Sequence, residues 1–299
     1  MTQTPLYDEL RAQLEAAVQL LPDKPEETLD STLRALWHCA AGKPLSAELA
    51  VQHPLAELDG AQQSTLRALL QRRLDGIPLS HLSGRQQFMG LEMLAGPAAL
   101  VPRKETELLA RTALELAREL GAQQPALTLL DVCTGSGNIA LTLAHHNTEA
   151  RIFAADLSAD AVALARRNAE HLGLSARVEF RAGDLLAPFD TPDFLGQVDL
   201  LTCNPPYISS AKVEQLPGEI GSHEPHLAFD GGPFGVAILM RLLQEAPRFL
   251  RAGGWLVFEL GLGQGPALLK RLEKNPHFDT ARAREDAAGD IRAIAARRA

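Results

Sequence analysis

The stretch Val198-Asp199-Leu200-Leu201-Thr202-Cys203-Asn204-Pro205-Pro206-Tyr207 decides the fold. Its first six residues are mostly apolar and short, the pattern of a strand buried on both faces of a parallel sheet. Two consecutive prolines then remove two backbone donors, so the strand stops at Asn204 and the chain turns stiffly. The turn falls at the carboxyl end of a strand, where open α/β sheets bind ligands. The Asn204 side chain and the Pro205 carbonyl become two acceptors on a rigid corner, with the Tyr207 ring just beyond. Such a corner suits a planar –NH2 group, taking both hydrogens while the nitrogen lone pair stays free. An ordinary proline-rich turn would use the same residues, so the surrounding sequence has to separate the two.

Outward from this stretch the chain alternates. Upstream, residues 127–132, 152–155 and 178–181 read as strands, with helices over 135–146 and 159–171, the second stopped by Gly173. Downstream come a helix over 234–250, a strand over 255–260, a helix over 266–273, and a closing antiparallel pair over 277–283 and 291–295. Strands alternating with helices predict an α/β fold with a doubly wound sheet, seven-stranded across residues 105–299. A helix over 105–120 opens this domain, with acids at its start where the dipole favours them.

Residues 1–76 read as helices only. Leu6, Leu10, Leu14, Ala17 and Leu21 recur at helical spacing, as do Leu29, Leu33, Leu36 and Ala40. A further helix spans 59–75 and Gly76 ends it. This segment predicts a small helical bundle that either packs on the main domain or docks a protein partner. Between the two parts, residues 77–104 carry Pro78, Gly84, Gly90, Gly96, Pro97 and Pro102, a connecting segment with a β-hairpin over 86–94.

Chemistry concentrates after the strands. The first sheet strand ends in Asp131-Val132-Cys133-Thr134-Gly135-Ser136-Gly137, directly before a helix. The two glycines permit a tight turn and close approach of a ligand to the backbone. The third glycine of a dinucleotide fingerprint is absent, since Ala140 stands there, and no Gly-Lys-Ser/Thr ending marks a phosphate loop. Asp156, about twenty residues on, closes the second strand, where an acid suits two ribose hydroxyls. Asp184 follows the third strand, in reach of an adenine amino group. A nucleoside site beside an amide-accepting corner suggests S-adenosylmethionine.

The 299 residues carry a net charge of −8, which argues against a protein that works by gripping nucleic-acid phosphate. Cys39, Cys133 and Cys203 are sparse, odd in number and without metal-ligand spacing, so no metal is expected. The start lacks a basic segment followed by an apolar one, and no apolar run is long enough to span a membrane. A cytoplasmic protein is expected.

Several stretches together resemble the release-factor glutamine N5-methyltransferases, the HemK/PrmC family, over nearly the whole chain. They are Gly76 to Gly84 (GIPLSHLSG), Leu100-Val101-Pro102-Arg103, Thr106-Glu107, Asp131 to Gly137, Asn204 to Tyr207, and Glu224-Pro225 followed by Asp230-Gly231-Gly232. The resemblance implies a class I S-adenosylmethionine-dependent methyltransferase with an N-terminal helical bundle, leaving S-adenosylhomocysteine as product. The implied acceptor is the glutamine of the Gly-Gly-Gln loop in peptide chain release factors. It implies cofactor contacts from Asp131, Cys133, Thr134, Gly135, Ser136, Gly137, Asp156, Asp184, Leu185 and Asn204, and substrate contacts from Asn204, Pro205, Pro206, Tyr207 and Glu224. The loop over 208–232 is expected to shape the channel that admits the glutamine, and the enzyme to act as a monomer. Two positions depart from the family pattern: Cys133 stands where glycine is common and Lys104 where proline is. Other readings stay open at this point, namely glutamine methylation of a ribosomal protein, adenine-N6 methylation of nucleic acid, and a non-catalytic release-factor adaptor.

Overall fold

In the computed structural model, which describes residues 4–124 and 126–299, the helical part opens with Thr4–Ala17, Leu29–Ala40 and Gly60–Leu74. Thr28 and Ser31 form a reciprocal cap on the second helix, and Asp59 and Gln62 do the same on the third. Each pair satisfies backbone donors that the first turn leaves orphaned. Leu10, Leu14, Leu33, Leu36, Trp37 and Leu66 are almost fully buried and form this unit's core.

Two short strands, β1 (Arg85–Phe88) and β2 (Leu91–Leu94), form an antiparallel hairpin. Its turn residues Met89 and Gly90 both have positive φ, +50° and +81°, the geometry that matches the twist of two strands. The hairpin does not stand apart as a connector. It belongs to the same compact unit as the helices, with residues up to Pro97, Val101–Lys104 and Leu216–Glu224.

The last of these segments lies in the long loop after Tyr207, and buried charge fixes it. Glu219 takes Lys24 Nζ at 2.6 Å and Arg73 Nη1 at 2.7 Å, and Arg73 also reaches Glu27 at 3.0 Å. Removing one member of a buried ion pair costs about 3–5 kcal/mol, because the survivor stays buried and unpaired. Lys104, where the resemblance leads to an expectation of proline, pairs with Glu48 at 2.5 Å.

The second unit is built on a seven-stranded sheet. Its strands are β3 (Thr128–Val132), β4 (Arg151–Asp156), β5 (Val178–Ala182), β6 (Val198–Cys203), β7 (Leu250–Glu259), β8 (Phe278–Glu285) and β9 (Ile291–Arg298). They lie in the order β5-β4-β3-β6-β7-β9-β8. The first five are parallel, and β9 pairs antiparallel with both β7 and β8. Helices Glu107–Gly121, Asn138–His146, Ala159–His171, Ala237–Glu245 and Gly265–Glu273 accompany the sheet. The predicted helix over 234–250 is shorter than expected. Pro247 lacks the N–H an α-helix needs, so the chain tightens into a 3-10 turn over Ala246–Arg248 and β7 begins at Leu250. Strand order reverses between β3 and β6, which makes their carboxyl ends the switch point where such sheets bind ligands.

Candidate active site

Val132 and Cys203 are partners in register, so the glycine loop and the proline corner leave neighbouring strands at the same level. In the glycine loop, Thr134 N–H donates to the Ala155 carbonyl at 3.0 Å. Gly135 N–H donates to Asp156 Oδ2 at 2.8 Å, and Ser158 N–H donates to Oδ1 at 2.9 Å. Burial pushes the Asp156 carboxyl up from the usual range, and these backbone donors pull it back. A carboxylate has about four lone-pair sites, so two bonds leave capacity for ribose hydroxyls.

The two glycines do different jobs. A Cβ on Gly137 (φ +82°) would stand 3.1 Å from Ala165 Cβ and 3.3 Å from Phe180 Cε1. Gly137 is therefore required by packing. Gly135 (φ +54°) would meet only Ala99, at 4.0 Å, and its surroundings leave room for a ligand. Ser136 is buried and its carbonyl accepts from Asn168 Nδ2 at 3.0 Å. Cys133 has φ +57°, a region that favours glycine.

Asp131, expected to touch the cofactor, is wholly buried. Thr134 Oγ1 donates to its Oδ2 at 2.5 Å and Thr202 Oγ1 to its Oδ1 at 2.7 Å. Burial pushes this carboxyl up to about 6, against those hydrogen bonds. No surface of Asp131 is open, so it ties the loop to β3 and β6 from behind. Asp184 is half-exposed and forms a two-bond pair with Arg241, at 3.2 and 2.9 Å. An adenine amino group would have to share that carboxylate. Leu185 is buried with φ +46°.

At the proline corner, Asn204 Nδ2 donates to Thr106 Oγ1 at 3.2 Å. This orients the amide and leaves Oδ1 as the end available to a substrate. The Tyr207 hydroxyl lies 2.9 Å from Glu259 Oε1 and 3.1 Å from Glu105 Oε1. Burial and the two acids raise the Tyr207 phenol well above its ordinary value, so it stays neutral. Gln264 braces the far side, donating through Nε2 to the Tyr207 carbonyl at 3.1 Å and to the Gly235 carbonyl at 3.2 Å. Backbone packs tightly here. A Cβ on Gly235 would lie 2.3 Å from the Tyr207 oxygen, and one on Gly231 2.6 Å from the Pro206 oxygen. Pro205 is itself buried.

Glu224, expected to touch substrate, is committed elsewhere. Its carboxylate takes Arg103 Nη2 at 2.6 Å and the Val101 N–H at 2.9 Å, and all three belong to the first unit. A buried carboxylate paired in this way holds the loop and has little left to offer a ligand.

A family profile described as a methyltransferase domain matches residues 123–278. A protein of Moorella thermoacetica named release factor glutamine methyltransferase is 40% identical over 233 residues, covering 78% of this chain and 77% of its own. One of Bradyrhizobium diazoefficiens with the same name is 38% identical over 274 residues, covering 91% and 89%. The chain belongs to the release factor glutamine methyltransferase family. Among solved structures, the hMettl16 catalytic domain in complex with an RNA hairpin has a TM-score of 0.54 at 16% identity, covering 87% of this chain and 92% of that one. At that identity the likeness concerns the fold alone, and it agrees with the class I methyltransferase architecture. In this member of the family, Thr106, Glu105, Glu259 and Gln264 also line the acceptor corner, although the sequence reading had not singled them out as site residues.

Proposed function

We propose that this protein transfers a methyl group from S-adenosylmethionine to the side-chain amide nitrogen of the glutamine in the Gly-Gly-Gln loop of peptide chain release factors. The observation that carries this reading is the orientation of Asn204. Its Nδ2 is engaged by Thr106, so Oδ1 is the free acceptor, beside a neighbouring strand end built for a nucleoside. The donor set on that side fits the cofactor. Asp156 has unused lone pairs, the Gly135 backbone is approachable, and the apolar Leu157 beside them is exposed.

A carboxamide nitrogen is a poor nucleophile because its lone pair is delocalised into the carbonyl. Asn204 Oδ1 and the Pro205 carbonyl, each accepting one N–H, raise electron density on that nitrogen and fix its direction. The Tyr207 ring, held through its hydroxyl and its carbonyl, forms the wall against the planar amide. The bound cofactor supplies an electrophilic methyl on a sulfonium, so the protein's main contribution is positioning. With the cofactor bound, the N–C bond would form as its S–C bond breaks, and the amide proton, then acidic, would pass to water while Asn204 Oδ1 and the Pro205 carbonyl hold the nitrogen in place. Asp131, Glu224 and Glu219 act as structural supports. The partner is a protein, read without direct nucleic-acid contact. Among the described residues no helix is long and apolar enough to cross a membrane.

The test is incubation with labelled S-adenosylmethionine and, separately, a release factor, a large-subunit ribosomal protein and duplex DNA, with mass spectrometry of each. Label on the Gly-Gly-Gln glutamine is expected. Label on another protein or on DNA alone would overturn the reading, and label on nothing would point to an adaptor.

A further inference from the structure

Counting hydrogens behind the acceptor corner exposes a proton that the transfer itself does not use. The Tyr207 hydroxyl has one hydrogen but lies within hydrogen-bond distance of two carboxyl oxygens, Glu259 Oε1 at 2.9 Å and Glu105 Oε1 at 3.1 Å. If both acids were ionised, one of these oxygen–oxygen contacts would contain no hydrogen and would be repulsive. One acid must therefore be protonated. Glu105 is about one-third exposed, and its Oε2 takes Arg292 Nη2 at 2.9 Å, so a negative charge there has a cationic partner. Glu259 is buried, and its Oε2 has no hydrogen-bond partner among the described residues. An ionised oxygen in that position would be desolvated with nothing in return.

We infer that Glu259 is a positioning residue whose carboxyl, in its protonated form, donates to the Tyr207 oxygen and so holds the corner that presents Asn204 to the amide substrate. The placement follows from the fold. Glu259 closes β7, one residue beyond the Phe258–Cys203 register pair, so it lies beside the start of the proline corner. Among the described residues, the charged groups that act on it are Glu105, on the segment before helix Glu107–Gly121, and Arg292 on β9, beside the Thr106 and Tyr207 hydroxyls. Thr106, whose hydroxyl accepts from Asn204 Nδ2, stands between this carboxyl and the Asn204 amide. Burial first, and the Glu105 charge second, push the Glu259 carboxyl up to about 7. Loss of the proton as pH rises through neutrality would convert a hydrogen bond at Tyr207 into a repulsion and loosen the corner.

The inference rests on the reading of Asn204 as the amide acceptor, and the experiment separates the two. Infrared difference spectra of wild type against Glu259→Gln, taken from pH 5 to 9 without substrate, report the protonated carboxyl directly. A carbonyl band that disappears as pH rises through neutrality, and is absent in the variant, is expected. Release-factor methylation at saturating substrates is measured over the same range. Wild-type kcat should fall at the same pH as the band. Glu259→Gln, whose side-chain N–H replaces the missing donor, should keep most of the kcat with that alkaline limb gone. Glu259→Ala should lose roughly 10-fold or more in kcat with the dissociation constant for S-adenosylmethionine unchanged. No band in wild type, or an identical alkaline limb in Glu259→Gln, would overturn the proposal. If wild type methylated no release factor, the function would be wrong while the infrared band still located the proton.

Discussion

The glycine loop over Cys133–Gly137 and the proline corner over Asn204–Tyr207 leave adjacent parallel strands at one level, yet they are built by opposite means. Three residues of the first have positive φ, and its backbone N–H groups point to carbonyl and carboxylate partners. The second has two prolines and presents acceptors. A loop approached by a nucleoside needs backbone donors and no side-chain bulk. A corner that must take two hydrogens from an amide needs oxygens that do not move. Each is held from behind by a buried carboxyl, Asp131 for the loop and Glu259 for the corner. Asp131 receives two hydroxyl hydrogens, whereas Glu259 and a second acid, Glu105, face a single hydroxyl. The same strand ends thus carry an ordinary buried acceptor on one side and a proton-bearing acid on the other.

The sharpest break in this comparison is Asn204→Ala. It removes the oriented acceptor without touching the glycine loop, so turnover should drop by roughly 10²–10³-fold, in line with loss of one preorganised hydrogen-bonding group at a reacting centre. Calorimetric titration should find S-adenosylmethionine binding within about threefold of wild type, since a lost factor of ten would equal about 1.4 kcal/mol of contact. Loss of cofactor binding together with turnover would mean that the two loops are not separable.

The buried acid behind the loop predicts a pH effect. Asp131 has a folded-state value of about 6 against an ordinary 3.8. A raised acid contributes stability that is complete below the ordinary value, falls as pH rises between the two, and is gone above the folded one. Wild type should therefore lose stability relative to Asp131→Asn between pH 4 and pH 6.5, by on the order of 3 kcal/mol at most, at about 1.4 kcal/mol per unit. Urea midpoints of the two proteins at both pH values check this. A difference that moves the other way would show that the threonine hydroxyls outweigh burial.

The glycines sharpen the comparison further. Gly137→Ala puts a Cβ 3.1 Å from Ala165, and Gly235→Ala puts one 2.3 Å from the Tyr207 oxygen. Both should cost roughly 1–3 kcal/mol from overpacking on top of the left-handed backbone. Gly135→Ala has open space and should cost only the backbone part, about 1–2 kcal/mol. Thermal unfolding ranks the three, and cofactor affinity should fall most per unit of lost stability in Gly135→Ala.

What was legible in the sequence follows from which interactions are local. The five parallel strands were legible because such strands are largely apolar runs between helices, and the helix over 59–75 because its leucines recur at helical spacing and Gly76 ends it. Asp131 and Asp156 were visible as acids ending such runs, but not which of them water or a ligand could reach. That depends on Thr202, which is 71 positions from Asp131 in the chain. Glu259 offered the same signal, an acid closing the run Trp255–Phe258, and was passed over because nothing local ties it to Tyr207. The burial of Glu224 was not legible because its partner Arg103 is 121 positions away, so a residue in a polar loop is paired inside the protein.

The smallest effect tests the cost of the one unusual residue in the glycine loop. Cys133 holds φ +57° with a side chain, where glycine would be unstrained. Relief of the left-handed backbone in Cys133→Gly is worth about 1–2 kcal/mol. Two losses oppose it: a more flexible unfolded chain, about 0.4–1 kcal/mol, and the contact between the Cys133 and Cys203 thiols, which is partly buried. The net should be a gain below about 1 kcal/mol, a shift of about 2–4 °C or less in the midpoint for a domain of this size. Turnover should be unchanged, since methyl transfer from a sulfonium needs no enzyme thiol. A destabilised variant would show that packing between the two thiols outweighs the backbone strain. The loop would then be held by its side chain as firmly as the proline corner is held by its ring.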